Sequence, residues 1–171
     1  MKIPKPNIFN ARTEYKAFLG TSYNLTCKVH WPGFGLKDAA FWRRGKRVKD
    51  DSRHERLDQR RTNYVIMAIT NVSMEDEGAW ECRAYYRAVS QDNKVFRLEI
   101  AACPAGHYCP RNESEPRPCG PGTYNDGATN VTYRCKDCPY SSLSNQSLNT
   151  VGSKSLNDCV IWTPRSGTPK S

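Results

Sequence analysis

The sequence lacks the motifs of the common enzyme classes and the long apolar runs of membrane proteins. No apolar run approaches the roughly 20 residues that a transmembrane helix requires, so we expect no membrane insertion within this segment. The Gly-x-Ser-x-Gly, His-Glu-x-x-His, Gly-x-Gly-x-x-Gly and phosphate-loop motifs are absent as well. A cysteine nucleophile would have to be unpaired, and all eight cysteines fall into patterns that suggest pairs. We therefore predict a protein that is not an enzyme and has no cofactor.

Large apolar side chains are scarce in the C-terminal third of the chain. Between Cys103 and Cys159 there is no Phe, Ile, Trp or Met, and only five Val or Leu residues occur. So small an inventory cannot build a core for a segment of this length, and cross-links must supply the order instead. The six cysteines of this segment are Cys103, Cys109, Cys119, Cys135, Cys138 and Cys159.

Spacings that indicate a metal site are missing too. Cys135-x-x-Cys138 is half of a common zinc pattern, but no second Cys-x-x-Cys accompanies it and the three histidines are isolated. Eight cysteines without metal spacing indicate disulfides and an oxidising compartment. Five Asn-x-Ser/Thr sequons indicate the same compartment: Asn24, Asn71, Asn112, Asn130 and Asn145. We expect a glycosylated extracellular chain, either secreted or part of a membrane protein's ectodomain. The N-terminus has no apolar stretch of the signal-peptide kind, so we interpret the chain as part of a longer protein.

The N-terminal half contains one specific constellation of residues. Its members are Cys27, Trp42 and an Asp-x-Gly-x-Trp-x-Cys corner formed by Asp76, Gly78, Trp80 and Cys82. Cys27 and Cys82 lie 55 positions apart, and Trp42 follows Cys27 by 15. Short segments of alternating apolar and polar residues, separated by turn residues, favour β-strands here. Residues 9–101 therefore resemble an immunoglobulin-like domain of the I-set or short V kind.

This resemblance implies an all-β sandwich with defined structural residues. In such domains a disulfide, here Cys27–Cys82, bridges the sheets and a tryptophan, here Trp42, packs on it. The family usually has tyrosine where this chain has Trp80, whose indole carries only an N–H donor, and we expect the ring to pack in the same place. The corner aspartate often pairs with an arginine about 20 residues earlier, and Arg56 has that offset from Asp76. The alternative is that Arg56 is an ordinary exposed arginine.

Residues 103–159 resemble a different kind of module. The segments Cys-Pro-Ala-Gly-His-Tyr-Cys-Pro, Cys-Gly-Pro-Gly-Thr-Tyr and Cys-Lys-Asp-Cys-Pro are similar to the ephrin-receptor-like cysteine-rich repeat. That repeat is related to growth-factor-like and tumour-necrosis-factor-receptor-like modules, and the resemblance implies a small, loop-dominated module. Six cysteines allow 15 pairings, of which we expect Cys103–Cys109, Cys119–Cys135 and Cys138–Cys159. Residues 160–171, rich in Pro, Gly and Ser, are expected to form a flexible tail.

Positive charge is the main hint about a partner. The chain has 26 basic and 17 acidic residues, and residues 43–61 alone hold nine basic and four acidic ones. The candidate basic residues are Arg43, Arg44, Lys46 and Arg47 in the turn 43–49. With Trp42 facing inward, Arg43 should project outward. Such a patch suits a sulfated, heparin-like glycan, or it only keeps the domain soluble. Nucleic acid is not an expected partner of a glycosylated, disulfide-bonded chain.

A second candidate surface lies beside Cys82. By alternation Tyr85, Arg83 and Arg87 point outward. Together with Arg43 they form an aromatic and arginine surface, a composition that is enriched at protein interfaces. The alternative is again an ordinary surface. Taken together, the sequence predicts an extracellular recognition or adhesion module that binds a protein partner. Binding of a sulfated glycan and a purely structural spacer role remain the alternatives.

Overall fold

The computed structural model describes residues 4–9, 12–59, 63–139 and 151–159. The described residues form β-strands, turns and short 3-10 turns, without an α-helix. They divide into two compact units, one comprising the residues up to Ala101 with Arg111–Ser114, the other residues 102–110 and those from 115 onward. The sequon at Asn145 and the predicted tail 160–171 lie outside the described residues.

The described residues of the first unit form nine strands. They are β1 (Asn7–Ile8), β2 (Glu14–Phe18), β3 (Tyr23–His30), β4 (Lys37–Arg43), β5 (Lys46–Arg47), β6 (His54–Gln59), β7 (Tyr64–Ile69), β8 (Gly78–Tyr86) and β9 (Ser90–Ala101). A four-stranded antiparallel sheet has the order β1-β3-β7-β6, and a five-stranded sheet has the order β2-β9-β8-β4-β5. Within the second sheet only β2 and β9 run parallel. The unit is an immunoglobulin-like sandwich.

Alternation of side chains builds the core between the two sheets. Leu25, Cys27 and Val29 on β3 are fully buried, while the residues between them are not. On β8 the same pattern buries Trp80 and Cys82. The disulfide between Cys27 and Cys82 joins the two sheets through this core, so residues 55 positions apart in the chain are held together at its centre.

The aromatic residue of β4 that packs in this core is Phe41, not Trp42 as the sequence predicted. Phe41 lies opposite Cys82 in the register of β4 and β8, so the two side chains share the inner face. Its ring meets Trp80 and Phe96 edge-on, with centroids 6.5 and 6.3 Å away. Trp42 lies opposite Glu81 and faces outward. The prediction used the tryptophan as the landmark, and the strand's alternation places the preceding residue inside instead.

The described residues of the second unit form no comparable core. Two short antiparallel pairs supply its regular structure: β10 (His107–Tyr108) with β11 (Arg117–Pro118), and β12 (Thr123–Tyr124) with β13 (Lys136–Asp137). Among its described residues, all the buried hydrophobic residues are cysteines. They form the disulfides Cys103–Cys109, Cys119–Cys135 and Cys138–Cys159.

A buried asparagine organises the loops of the second unit. Asn125 is almost inaccessible to solvent, and its side-chain amide donates to the carbonyl oxygen of His107 at 2.7 Å. Its backbone N–H donates to Ser153 O, and its own carbonyl accepts from Gly106 N–H. Because each of these groups has a partner, the asparagine can be buried without the cost of an unsatisfied polar atom.

Candidate functional site

The acidic corner before β8 is a buried hydrogen-bonded cluster around Asp76. The guanidinium of Arg53 donates to Asp76 Oδ2 at 2.8 Å, and His54 Nε2 lies 2.8 Å from Asp76 Oδ1. The backbone N–H of Ser73 donates to the same carboxylate at 2.9 Å. Burial opposes the charge of Asp76, but the hydrogen bonds from Arg53, Ser73 and His54 outweigh it and hold the pKa below its ordinary value.

Arg56 does not pair with Asp76 as the sequence predicted. Its Nε donates to the carbonyl oxygen of Ala39 at 2.8 Å, and its guanidinium lies 3.5 Å from Asp38. Arg53 occupies the expected place instead, three residues earlier in the chain. The expected spacing of about 20 residues between the arginine and the corner aspartate is approximate. It does not distinguish between Arg53 and Arg56, which are only three residues apart.

Trp80 makes the corner bond that a tyrosine hydroxyl would otherwise make. Its indole Nε1 donates to the carbonyl oxygen of Asp76 at 2.8 Å, four residues earlier. The donor is an indole N–H instead of the usual tyrosine hydroxyl, but it bonds to the backbone of the same corner before β8. Arg43 lies over the Trp80 ring, with its guanidinium carbon 4.8 Å from the ring centroid.

Arg43 belongs to this corner and not to the outer surface, contrary to the sequence prediction. Its guanidinium donates to the carbonyl oxygens of Glu75 and Glu77, at 2.5 and 2.6 Å. Burial lowers the pKa of Arg43 from its ordinary value. Because Trp42 faces outward, the next residue must face inward, so the error has the same origin as the misplaced tryptophan.

The outward side of the five-stranded sheet carries charged, aromatic and apolar residues, and we call it the five-stranded face. It consists of Glu14, Lys16, Phe18, Asp38, Ala40, Trp42, Arg47, Ala79, Glu81, Arg83, Tyr85, Gln91, Asn93, Val95, Arg97, Glu99 and Ala101. At its centre the guanidinium of Arg83 stacks 4.0 Å from the centroid of the Trp42 ring. Glu81 accepts a hydrogen bond from the same arginine. This contact with Glu81, followed by one with Tyr85, raises the pKa of Arg83.

An apolar group adjoins the five-stranded face at the end formed by the β3–β4 and β8–β9 loops. Phe34 is 97% exposed, Leu36 72% and Val89 70%. Beside them is a hollow of about 230 Å³ lined by Leu36, Asp38, Tyr85 and Ala88. Sequence reasoning missed this group, although apolar residues alternating with glycine in Pro32-Gly33-Phe34-Gly35-Leu36 were a usable signal for an exposed apolar loop.

The backbone carrying Phe34 is held in place from β8. The hydroxyl of Tyr86 donates to Phe34 O at 3.0 Å, and the guanidinium of Arg87 donates to the same oxygen at 3.3 Å. Arg87 also lies over the Tyr86 ring, 5.1 Å from its centroid. Arg87 therefore positions the loop, which differs from the direct contact role that the sequence suggested for it. The exposed phenyl ring is carried on an ordered backbone.

The basic turn offers fewer available cations than the sequence indicated. Arg44 and Gly45 both have positive φ, 49° and 76°, as a two-residue hairpin of type I′ requires. Arg47 pairs with Asp38 at 3.0 Å, and Arg43 is occupied at the corner. Arg44 and Lys46 remain exposed at the tip.

The sequons Asn24 and Asn71 of the first unit lie away from the five-stranded face. Asn24 is exposed on β3, on the outer side of the four-stranded sheet. Asn71 is exposed just after β7. Asn112 and Asn130 are also exposed and belong to loops outside the sandwich strands.

No arrangement for metal binding or membrane crossing is visible in the described ranges. Nowhere among those residues do three His, Cys, Asp or Glu side chains gather so as to hold a metal ion. In the same part of the chain, no helix has the length and apolar character to cross a bilayer.

Comparison with known proteins identifies the first unit. Residues 13–92 match the family model described as the immunoglobulin domain. Residues 13–92 form an immunoglobulin domain. Among solved structures, the chain is similar to the N-terminal Ig1-2 module of the Drosophila receptor protein tyrosine phosphatase DLAR, at 22% identity and a TM-score of 0.50, over 60% of this chain and 54% of that one. A titin fragment, A168169, matches at 19% identity and a TM-score of 0.50, over 63% and 53%. These likenesses concern the immunoglobulin fold alone.

One curated protein is similar in sequence. It is the D-alanine–D-alanine ligase of Staphylococcus haemolyticus, 33% identical over 98 residues, which are 56% of this chain and 27% of the ligase. The chain thus spans about a quarter of the length of that relative. So partial a match does not transfer a ligase reaction to the immunoglobulin domain.

Proposed function

We propose that this chain is a non-catalytic recognition or adhesion module of an extracellular protein, and that it binds a protein partner through the five-stranded face. The observation that carries the proposal is the composition of this face. Trp42, Arg83 and Tyr85 form an aromatic and arginine cluster at its centre, and such residues are enriched among those that dominate binding energies. The exposed apolar loop end extends the same surface, as an interaction site would.

Two further features support an extracellular role. Four disulfides occur among the described residues, and disulfides persist mainly in oxidising compartments. The sequons Asn24 and Asn71 lie off the five-stranded face, so glycans attached there would leave it open. The second unit is proposed to be an ephrin-receptor-like cysteine-rich repeat that acts as a spacer or assembly surface.

A screen of the glycosylated chain against a panel of ectodomains tests the proposal. Tyr85→Ala should weaken binding to a partner found in this way by about tenfold or more, the effect of a residue central to an interface. The pair Val95→Asn and Arg97→Thr adds a sequon to β9 and should abolish binding by placing a glycan on the face. The matched control is Lys28→Asn with His30→Thr, which adds a sequon to the opposite sheet. A partner whose binding survives both face variants would contradict the proposed site.

A sulfated glycan is the second candidate ligand, favoured by the exposed Arg44 and Lys46 in a chain with a net charge of +9. Elution from a heparin column only above physiological salt, lowered by Arg44→Ser with Lys46→Ser, would support it. Elution below physiological salt would exclude it. The third possibility, a structural spacer, predicts that neither the ectodomain screen nor the heparin column detects a ligand.

A further inference from the structure

We propose that the partner of the five-stranded face is a second copy of this chain, bound across a two-fold axis. This inference rests on the proposed function and specifies its partner. Three properties of the surface support it: its charge balance, its internal ion pairs, and the presence of a projection and a hollow on the same patch.

The five-stranded face is electrically neutral in a strongly basic protein. It carries four cations (Lys16, Arg47, Arg83 and Arg97) and four anions (Glu14, Asp38, Glu81 and Glu99). The chain as a whole has a net charge of +9, so all of the excess lies elsewhere. Two copies therefore repel each other through most of their surfaces, and this face is where they can approach without that repulsion.

Opposite charges are neighbours on this face within one copy, and two of these neighbouring pairs are ion pairs, Arg47 with Asp38 and Arg83 with Glu81. Glu14 lies directly across from Arg97, and Lys16 lies directly across from Glu99. Elsewhere on the face Arg47 contacts Asp38 at 3.0 Å, and Arg83 contacts Glu81. A strongly acidic or strongly basic partner would not be attracted, because the five-stranded face has no net charge of the opposite sign. A second surface that also carries alternating positive and negative charges is electrostatically compatible with the five-stranded face.

The loop end has the projection and the hollow that a two-fold contact requires. In such a contact one patch must be complementary to itself. Phe34 projects from a held backbone with 97% of its surface exposed. The hollow lined by Leu36 and Tyr85 lies beside it and measures about 230 Å³, below the usual range of small-molecule pockets and suited to one side chain. Each copy's phenyl ring can then enter the other copy's hollow.

The area of the face limits the strength of such a dimer. Five strands about 4.8 Å apart and about seven residues long outline roughly 500 Å² per copy. The total area buried by two such faces would lie at the low end of the range for specific protein interfaces. We therefore expect a dissociation constant on the order of 10 µM, at which two isolated chains separate readily but many chains on apposed surfaces remain joined.

Sedimentation velocity of the full glycosylated chain, from about 1 to about 200 µM, tests this inference by mass action. We expect the weight-average sedimentation coefficient to rise from the monomer to the dimer value over this range. Phe34→Ser should raise the dissociation constant by about tenfold or more. The sequon pair Val95→Asn and Arg97→Thr should keep the chain monomeric throughout. Met74→Ser is the matched control, because Met74 is also exposed and apolar but lies at the corner before β8.

Some outcomes would overturn the inference. A chain that stays monomeric over the whole range contradicts it, as does a dimer that neither variant weakens. If the sequon pair fails to fold, Phe34→Ser still decides the question, since an exposed loop side chain contributes little to folding. A monomeric chain that binds another ectodomain in a Tyr85-dependent manner would exclude the second copy and leave the proposed function intact.

Discussion

The two units of this chain reach an ordered state by different means. The immunoglobulin domain buries Leu, Val, Ile, Met and aromatic side chains between two sheets and contains one disulfide. The cysteine-rich unit buries its six cysteines and hydrogen-bonds its loops through Asn125. The difference follows from composition, because a segment without Phe, Ile, Trp or Met cannot order itself by the hydrophobic effect alone.

The same difference determines where a binding surface can be built. A sandwich whose inner sides pack against each other can vary the outer sides of its strands freely, as on the five-stranded face. In the cysteine-rich unit the short strands and loops are themselves the framework. We infer that recognition belongs to the first unit.

The largest effect should come from removing disulfides in each unit separately. Cys119→Ser with Cys135→Ser should unfold the second unit, because its described residues contain no buried apolar side chain besides cysteine. Cys27→Ala with Cys82→Ala should cost about 2–5 kcal/mol of unfolding free energy but leave the sandwich core in place. Hydrogen–deuterium exchange, followed by peptide mass, measures the protection of backbone amides in each unit separately within the same chain. Equal loss of protection in both units would refute the contrast.

A second effect concerns which aromatic residue of β4 belongs to the core. Phe41→Ala should lower the unfolding free energy by about 3–5 kcal/mol, since it empties a buried site between Trp80 and Phe96. Trp42→Ala should cost only about 1 kcal/mol, the scale of its stacking with Arg83. Urea unfolding followed by far-ultraviolet circular dichroism gives both values. The opposite ranking would restore the original prediction for Trp42.

A third effect tests the buried charge at the corner. Asp76→Asn leaves Arg53 without its carboxylate and should cost about 3–5 kcal/mol, while Arg56→Ala should cost at most about 1 kcal/mol. The folded pKa of Asp76 is depressed, so its stabilising contribution is complete above the unfolded value of about 4 and disappears as the pH falls through the folded value. Stability measured between about pH 7 and pH 2 should therefore fall less steeply in Asp76→Asn. Parallel curves for the variant and the parent would disprove this role.

The smallest effect compares glycines with similar backbone conformations in the two units. Gly106 and Gly45 have φ values of 80° and 76°. A Cβ on Gly106 would lie 2.5 Å from Gly152 O, whereas one on Gly45 would meet nothing within 4 Å. Gly106→Ala should therefore cost about 2 kcal/mol or more and Gly45→Ala about 1 kcal/mol. Thermal unfolding measures the difference, and equal shifts would show that the contact with Gly152 is unimportant.

Much of the fold could be predicted from the sequence, because its signals are local and periodic. The corner that leads into Cys82 and the alternation of apolar and polar residues in the strands both involve residues close together in the sequence. They can therefore be recognised without knowledge of the three-dimensional structure. The identity of the core aromatic did not follow, since Phe41 and Trp42 are adjacent and a shift of one residue reverses every side chain of a strand. Arg43 was misplaced for the same reason.

The candidate site was less accessible to sequence reasoning than the fold. Alternation from Cys82 placed Arg83 and Tyr85 on the outer side correctly. Glu14 and Arg97 are far apart in the chain, and only the parallel register of β2 and β9 shows that they are neighbours on the face. The partners of Asp76 required three-dimensional positions as well, because Arg53, His54 and Arg56 all lie near the expected offset.

The internal pairing of charges on the five-stranded face has a consequence for kinetics. Opposite charges separated by a few ångströms cancel at longer range, so the face exerts little attraction on an approaching molecule. Its encounters would be governed by diffusion and orientation, with association rate constants of about 10⁵–10⁷ M⁻¹ s⁻¹ that change little with ionic strength. The lifetime of the contact, set by the seating of Phe34, would then determine how long two molecules stay together.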